Sequence, residues 1–207
     1  MKKTIFYIDG FNVYHGLREA NKYDKFGDYR WLNYQKFAEN IIKPYQDLLW
    51  VKYFTARIKG DVKKQKRQGD YLDALALQPK IKIYYGNYQI KQSFDKTLKK
   101  YYTYPVEKKT DVNIATQLLI DAFQNNFEVA YIVSGDSDLL PALEAIKVNF
   151  PHLLLIACFI PHRSSIDLKA ICHYCYYAKE KIFKKSLLPN SITKVDGYVI
   201  QRPPNWH

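Results

Sequence analysis

The chain has 207 residues, enough for one domain with a substantial core. Its 47% hydrophobic content excludes a disordered chain, and no apolar run is long enough to span a bilayer as a helix. Lys and Arg number 32 against 20 Asp and Glu, and the resulting net charge of +12 favours a polyanionic partner, nucleic acid ahead of a membrane surface.

Met1-Lys2-Lys3-Thr4 leads straight into an apolar run, Thr4 to Ile8, that reads as a buried strand. The run is too short for a signal peptide and has no small-residue cleavage site, so a cytoplasmic protein is expected. A helix from Asn12 to Ala20 follows. Trp31 to Ile42 carries Leu32, Phe37, Ile41 and Ile42 at helical spacing and stops near Pro44. Leu48 to Thr55 is a second strand. Lys63 to Leu77 is a helix with Tyr71, Leu72, Leu75 and Ala76 on its apolar side, ended by Pro79. Ile81 to Ile90 alternates partly with lysine and is expected as a third strand at a sheet edge.

Thr110 to Phe123 is the clearest helix. Val112, Ala115, Leu119 and Ala122 set its stripe, and Ile114 and Leu118 widen it. Val129 to Val133 is a fourth strand, Ser137 to Val148 a helix and Leu153 to Ile160 a fifth strand. A helical segment is expected to contain Leu168 to Phe183. Within it, Cys172-His173-Tyr174-Cys175 has CxxC spacing, but no second ligand pair follows. Buried thiols are therefore favoured over zinc or redox chemistry. The tail from residue 186 is irregular around Pro189, Pro203 and Pro204, with room for a short strand from Val195 to Ile200. The expected organisation is a domain over 1–185 and a tail over 186–207.

Strands that alternate with helices predict a three-layer α/β/α sandwich around a mainly parallel, Rossmann-like sheet. In such sheets the ligand crevice lies beyond the carboxyl ends of the strands. Ile8-Asp9-Gly10-Phe11-Asn12 places an acid immediately after the first strand, and Ser134-Gly135-Asp136-Ser137-Asp138 places two after the fourth. Lys108-Lys109-Thr110-Asp111 places another where a helix begins.

Each acid has an ordinary structural explanation. Asp9-Gly10 is a turn pair, Asp111 suits a helix dipole, and Ser137 or Asp138 can cap a helix. Their convergence changes the weighing. Two like charges 4 Å apart repel by about 1 kcal/mol in water and about 4 kcal/mol at an effective dielectric of 20. A cluster of Asp9, Asp111, Asp136 and Asp138 thus needs raised pKa values, cationic partners or a metal, and all-oxygen ligands favour Mg2+ or Mn2+. Beside a basic surface, such a site suggests phosphoryl chemistry. The Asn12 amide can orient a carboxylate or substrate, and Ser134 can hold a phosphate oxygen or a metal-bound water.

These segments resemble the NYN-domain proteins of the LabA-like group, within the PIN-like nuclease superfamily. The resemblance rests on Tyr7-Ile8-Asp9-Gly10-Phe11-Asn12, Lys109-Thr110-Asp111-Val112 and Val133-Ser134-Gly135-Asp136-Ser137-Asp138-Leu139, in that order. It implies a PIN-like sandwich and a magnesium- or manganese-dependent ribonuclease. Asp9, Asp111, Asp136 and Asp138 would be its catalytic and metal-binding acids, and Asn12 and Ser134 its accessory polar groups.

Two basic runs could engage RNA. One comprises Lys52, Arg57, Lys59, Lys63, Lys64, Lys66 and Arg67. The other comprises Lys91, Lys96, Lys99, Lys100, Lys108 and Lys109, interleaved with Tyr101, Tyr102 and Tyr104. The second suits single-stranded RNA better, with Lys108 and Lys109 on phosphates and Tyr102 stacked on a base. Three other readings remain open: an RNA-binding module with a structural metal, a phosphatase of the haloacid dehalogenase type, and a dinucleotide-binding enzyme. The phosphatase reading wants a second acid where Phe11 stands. The dinucleotide reading wants a GxGxxG that the first strand does not precede.

Overall fold

The computed structural model describes residues 1–95 and 97–206, with the side chains of all of these except Asp95, residues 103–107 and Asn205. Its centre is a six-stranded parallel sheet, β1 (Lys2–Asp9), β2 (Gln46–Thr55), β3 (Ile81–Tyr85), β6 (Val129–Val133), β7 (Leu154–Phe159) and β8 (Tyr174–Tyr177), in the order β3-β2-β1-β6-β7-β8. β3 lies at one edge, as its lysine alternation predicts.

The order reverses direction at the β1–β6 pair. Right-handed crossovers then send the two halves of the chain to opposite faces. α1 (Gly10–Tyr23), α2 (Tyr34–Glu39) and α3 (Val62–Ala76) cover one face with Val13, Leu17, Phe37, Leu72 and Leu75. α4 (Thr110–Phe123), α5 (Leu140–Asn149) and α6 (Ile166–Ile171) cover the other with Ile114, Leu118, Leu143, Ile146 and Leu168. The three-layer α/β/α sandwich is therefore as expected. All five positions of β6 are buried, which accounts for its unbroken apolar run.

The structure corrects several element expectations. The strand expected over Ile81 to Ile90 ends at Tyr85, and Gly86 then turns the chain into a separate antiparallel hairpin, β4 (Asn87–Asp95) and β5 (Lys100–Lys108). A side chain at Gly86 would meet Thr110 Oγ1 at 2.5 Å, so the hairpin base sits tightly against the start of α4. The segment expected as helical from Leu168 to Phe183 is α6, then edge strand β8, then α7 (Glu180–Lys185). Val112, expected on the core face of α4, is exposed; the buried stripe is Ile114, Leu118, Asp121 and Ala122.

The tail returns to the α1–α3 face. Leu188, Ile200 and Trp206 are buried there, and Trp31 Nε1 donates to the Pro189 carbonyl at 2.8 Å. The short strand expected near Val195 to Ile200 is β10 (Val199–Gln201), paired antiparallel with β9 (Ser191–Thr193). Among the described residues no helix is long and apolar enough to cross a membrane.

Candidate active site

β1 and β6 are neighbours in register, so their last residues emerge together at the carboxyl edge of the sheet. Asp9 ends β1 and caps α1, accepting the Asn12 N–H at 3.0 Å on Oδ1. Its Oδ2 accepts from Ser134 Oγ, just beyond β6, at 2.8 Å. Ser134 Oγ in turn accepts the Asp136 N–H at 3.0 Å, and Asp136 Oδ1 accepts the Asp138 N–H at 2.9 Å. The Asn12 side-chain oxygen accepts the Gly135 N–H at 3.1 Å, tying α1 to the turn after β6. Asp111 arrives from the first turn of α4. One carboxylate oxygen from each of Asp9, Asp111 and Asp136 lies within 4.8 Å of the others.

The turn expected after Asp9 is thus a helix cap, and Asp136 likewise caps a short 3-10 turn over Ser137–Leu139. Capping and clustering coexist because caps sit at strand–helix junctions, and the fold gathers those junctions at one edge. Gly10 permits the packing behind Asp9, since a Cβ there would lie 2.5 Å from the Tyr53 hydroxyl.

Burial pushes the Asp9 carboxyl up to about 6. Its hydrogen bonds from Asn12 and Ser134 oppose that rise, and the charges of Asp111 and Asp136 add to it. Asp111 is also raised, by burial first and then by Asp136 and Asp138. No cationic side chain completes this trio among the described residues. The all-carboxylate donor set, with no counter-charge among the described residues, fits a hard divalent cation.

A family comparison places residues 3–182 in the NYN domain family. The chain belongs to that family. Membership carries the coarse reading of a PIN-like nuclease, and the aspartate cluster stands where a sheet of this order binds its ligand. A curated relative, 6-hydroxy-3-succinoylpyridine 3-monooxygenase HspA of Pseudomonas putida (strain DSM 28022 / S16), is 26% identical over 184 residues, covering 71% of this chain and 56% of that protein. The chain therefore spans about half the length of that relative. A solved structure, a protein of unknown function from Vibrio parahaemolyticus RIMD 2210633, matches with a TM-score of 0.54 at 20% identity over 90% of this chain and 96% of that one. It shows the same fold.

The remaining candidate residues of this NYN domain are placed unevenly. Asp138 is exposed and lies outside the close trio, though near enough for its charge to act on Asp111. Lys108 and Lys109 are exposed where β5 meets α4, and Lys109 has a left-handed backbone, φ 72°. Tyr102 is half exposed, six residues up β5 from Lys108, about 20 Å along the strand. Lys96 and the Tyr104 side chain, both counted in the second basic run, lie outside the described residues.

Lys52 does not belong to a basic surface. It is 5% exposed and pairs with Asp121 at 2.6 Å, beside a Tyr7 hydroxyl that donates to the same carboxylate oxygen at 2.5 Å. Cys172 is buried, as the structural reading of CxxC expects, while Cys175 is exposed. His173 Nδ1 accepts the Leu155 N–H at 3.1 Å, a structural role within the sheet.

One feature of this edge is missed by motif reading. A cavity of about 560 Å³ opens between α1 and α3. Its α1 wall is Phe11, Tyr14, His15 and Arg18, spaced i, i+3, i+4 and i+7, a periodicity that marks one helix face in the bare sequence.

Proposed function

We propose that this chain is a magnesium- or manganese-dependent ribonuclease of the LabA-like group, acting on single-stranded RNA in the cytoplasm. The nuclease domain would occupy 1–185 and the tail 186–207 would serve as its brace. The observation that carries the reading is the meeting of Asp9, Asp111 and Asp136 within 4.8 Å at the switch point of the sheet. When bound there, the divalent ion supplies charge stabilisation for the phosphate and a nucleophilic water at neutral pH. Asp9, Asp111 and Asp136 would hold it.

Ser134 fixes one Asp9 oxygen and the Asp136 backbone together, so two ligands keep their spacing. Asn12 locks the Gly135 turn against α1. Asp138, exposed and near enough for its charge to act on Asp111, would orient water or substrate. Lys108, Lys109 and Tyr102 would lead the RNA strand towards Asp111.

The dinucleotide-binding reading is the weaker one at this edge. Asp9-Gly10-Phe11-Asn12 stands where a dinucleotide-binding fingerprint would follow β1.

The deciding experiment incubates purified protein with structured and unstructured RNAs in manganese, magnesium or chelator, alongside Asp136→Asn. Cleavage should require the metal and fall by about 10²–10³-fold in the variant, the usual cost of removing one preorganised electrostatic group. Metal-independent cleavage, or equal cleavage by the variant, would refute the assignment. RNA binding without cleavage by either protein would favour the binding-module reading.

A further inference from the structure

We propose that the cavity between α1 and α3 is a nucleotide subsite, taking a base among Phe11, Tyr14 and Trp206 and its phosphate on Arg18 and Arg67. This deepens the ribonuclease reading and rests on it for the polymeric substrate. The binding chemistry itself stands on the cavity.

Two helix stripes face each other across the space. Phe11, Tyr14, His15 and Arg18 come from α1; Lys64, Arg67, Gln68 and Tyr71 come from α3, at the same i, i+3, i+4 and i+7 spacing. Trp206 of the tail closes one side, with its ring centroid 6.2 Å from that of Tyr14. The volume of about 560 Å³ falls within the usual range for small-ligand sites.

Charge selects the ligand class. Among the described residues that line it there is no carboxylate, whereas Arg18, Arg30, Lys64 and Arg67 are present. Arg30 is already neutralised by Asp28 and lies over the Tyr14 and Trp206 rings, so it serves as wall rather than anion receptor. Lys64 has Asp61 at 3.3 Å. Arg18 and Arg67 have no carboxylate partner among the described residues. Two unneutralised guanidiniums flanking aromatic rings suit a planar base that carries a phosphate.

Other polar groups fit the base. Burial, then Arg18 and Arg163, lower the His15 pKa, so a neutral imidazole offers one donor and one acceptor to a base edge. The buried Trp206 Nε1–H has no acceptor among the described residues, and a ligand oxygen that reaches it would add a bond.

Position links the cavity to the acids. Gly10 and Phe11, which line it, directly follow Asp9, and Tyr34 in its wall is close enough for the Asp9 charge to act on its phenol. A nucleotide seated there has its chain neighbour beside the carboxylates.

The test is calorimetric titration of nucleoside 5′-monophosphates, ribose 5-phosphate and nicotinate into the full chain in chelator, where cleavage cannot occur. Wild type should bind nucleotides, with ribose 5-phosphate and nicotinate much weaker. Arg18→Ala and Arg67→Ala should each weaken nucleotide binding by roughly tenfold or more, and Phe11→Ala should erode the preference over ribose 5-phosphate. Circular dichroism and thermal unfolding check that each variant is folded. Short single-stranded RNA should compete for the site.

Nicotinate or ribose 5-phosphate binding as tightly as nucleotides would overturn the proposal. So would folded arginine variants that bind nucleotides like wild type. Nucleotide binding with these effects in a protein that cleaves no RNA would uphold the subsite and remove the ribonuclease reading. Cleavage without nucleotide binding would do the reverse.

Discussion

Asp9 and Asp121 are both buried, 5% and 2% exposed, and both lie against β1, yet they keep opposite company. Asp121 receives the Lys52 ammonium, the Tyr7 hydroxyl and, on its other oxygen, the Asn126 amide at 3.0 Å. Asp9 receives one hydroxyl and one backbone N–H and then faces Asp111 and Asp136. A carboxylate supplied with its own cation is part of the framework. One left among its own kind is poised for a cation from outside. Depth alone does not separate structure from function; the sign of the neighbours does.

The strongest way to break this contrast is to remove the built-in cation. Lys52→Met should cost about 3–5 kcal/mol in urea unfolding, because it strands a buried carboxylate. Adding Asp121→Asn should return much of that loss. A cost below about 1 kcal/mol would show that Asp121 does not depend on Lys52.

The opposite result is expected at Asp9. Its folded-state pKa of about 6 exceeds the ordinary 3.8, so the folded protein holds the proton more tightly than the unfolded chain. Without metal, the contribution of Asp9 to stability should therefore be greatest below about pH 4, decline towards pH 6 and level off above it. The shift corresponds to about 3 kcal/mol. Asp9→Asn should flatten that decline and equal or exceed wild type in stability at pH 7, while losing metal binding. A steeper pH dependence in the variant would contradict the assignment.

The contrast sharpens at Ser134, whose hydroxyl lowers the Asp9 pKa. Ser134→Ala should move the pH midpoint for divalent-ion binding upwards and cost about 1 kcal/mol in stability. An unchanged midpoint in a calorimetric pH series would mean that the serine does not tune the site.

On the exposed hairpin, where side chains have no buried duty, the effects should fall on RNA binding and leave stability unchanged. Tyr102→Ala should weaken RNA binding by about 1–3 kcal/mol if the ring stacks on a base. Lys108→Ala with Lys109→Ala should reduce the slope of log affinity against log salt by about 1.4, or about 0.7 for each single-strand phosphate. Unchanged salt titrations in both variants would move the RNA path away from the hairpin.

Much of this was legible before the coordinates. Four strands show as apolar runs because a parallel sheet buries both faces, β3 shows by its lysine alternation, and the bounds of α4 and β6 fall where the pattern puts them. The acids could be placed because strand ends share one edge. Lys52 was misread because its partner lies 69 residues away; the clue was Asp121 within the stripe of Ile114, Leu118 and Ala122. β8 is hidden within the expected helix because Tyr174–Tyr177 is a four-residue, mostly exposed edge strand with no turn residue to set it apart. The β4–β5 hairpin goes unseen because its first residues, Asn87 to Ile90, read as a continuation of β3 across the turn at Gly86. The cavity carried a helical periodicity, but a mixed aromatic and basic stripe looks like surface until a second helix faces it.

The placement of β1 has a consequence for how the protein comes into being. Its partner β2 arrives about 40 residues later, but β6 begins only at Val129. As a chain emerges from the ribosome, β1, β2 and β3 with α1 to α3 can gather early, since their loops are short. Asp111 and Asp136 come later, and the long closure between β1 and β6 makes their docking the slow event. The nascent chain would thus carry Asp9 as an isolated carboxyl until Asp111 and Asp136 have followed, acquiring a complete acidic centre only when they dock. Arrest of translation at staged lengths, with divalent-ion binding as the readout, would time that acquisition.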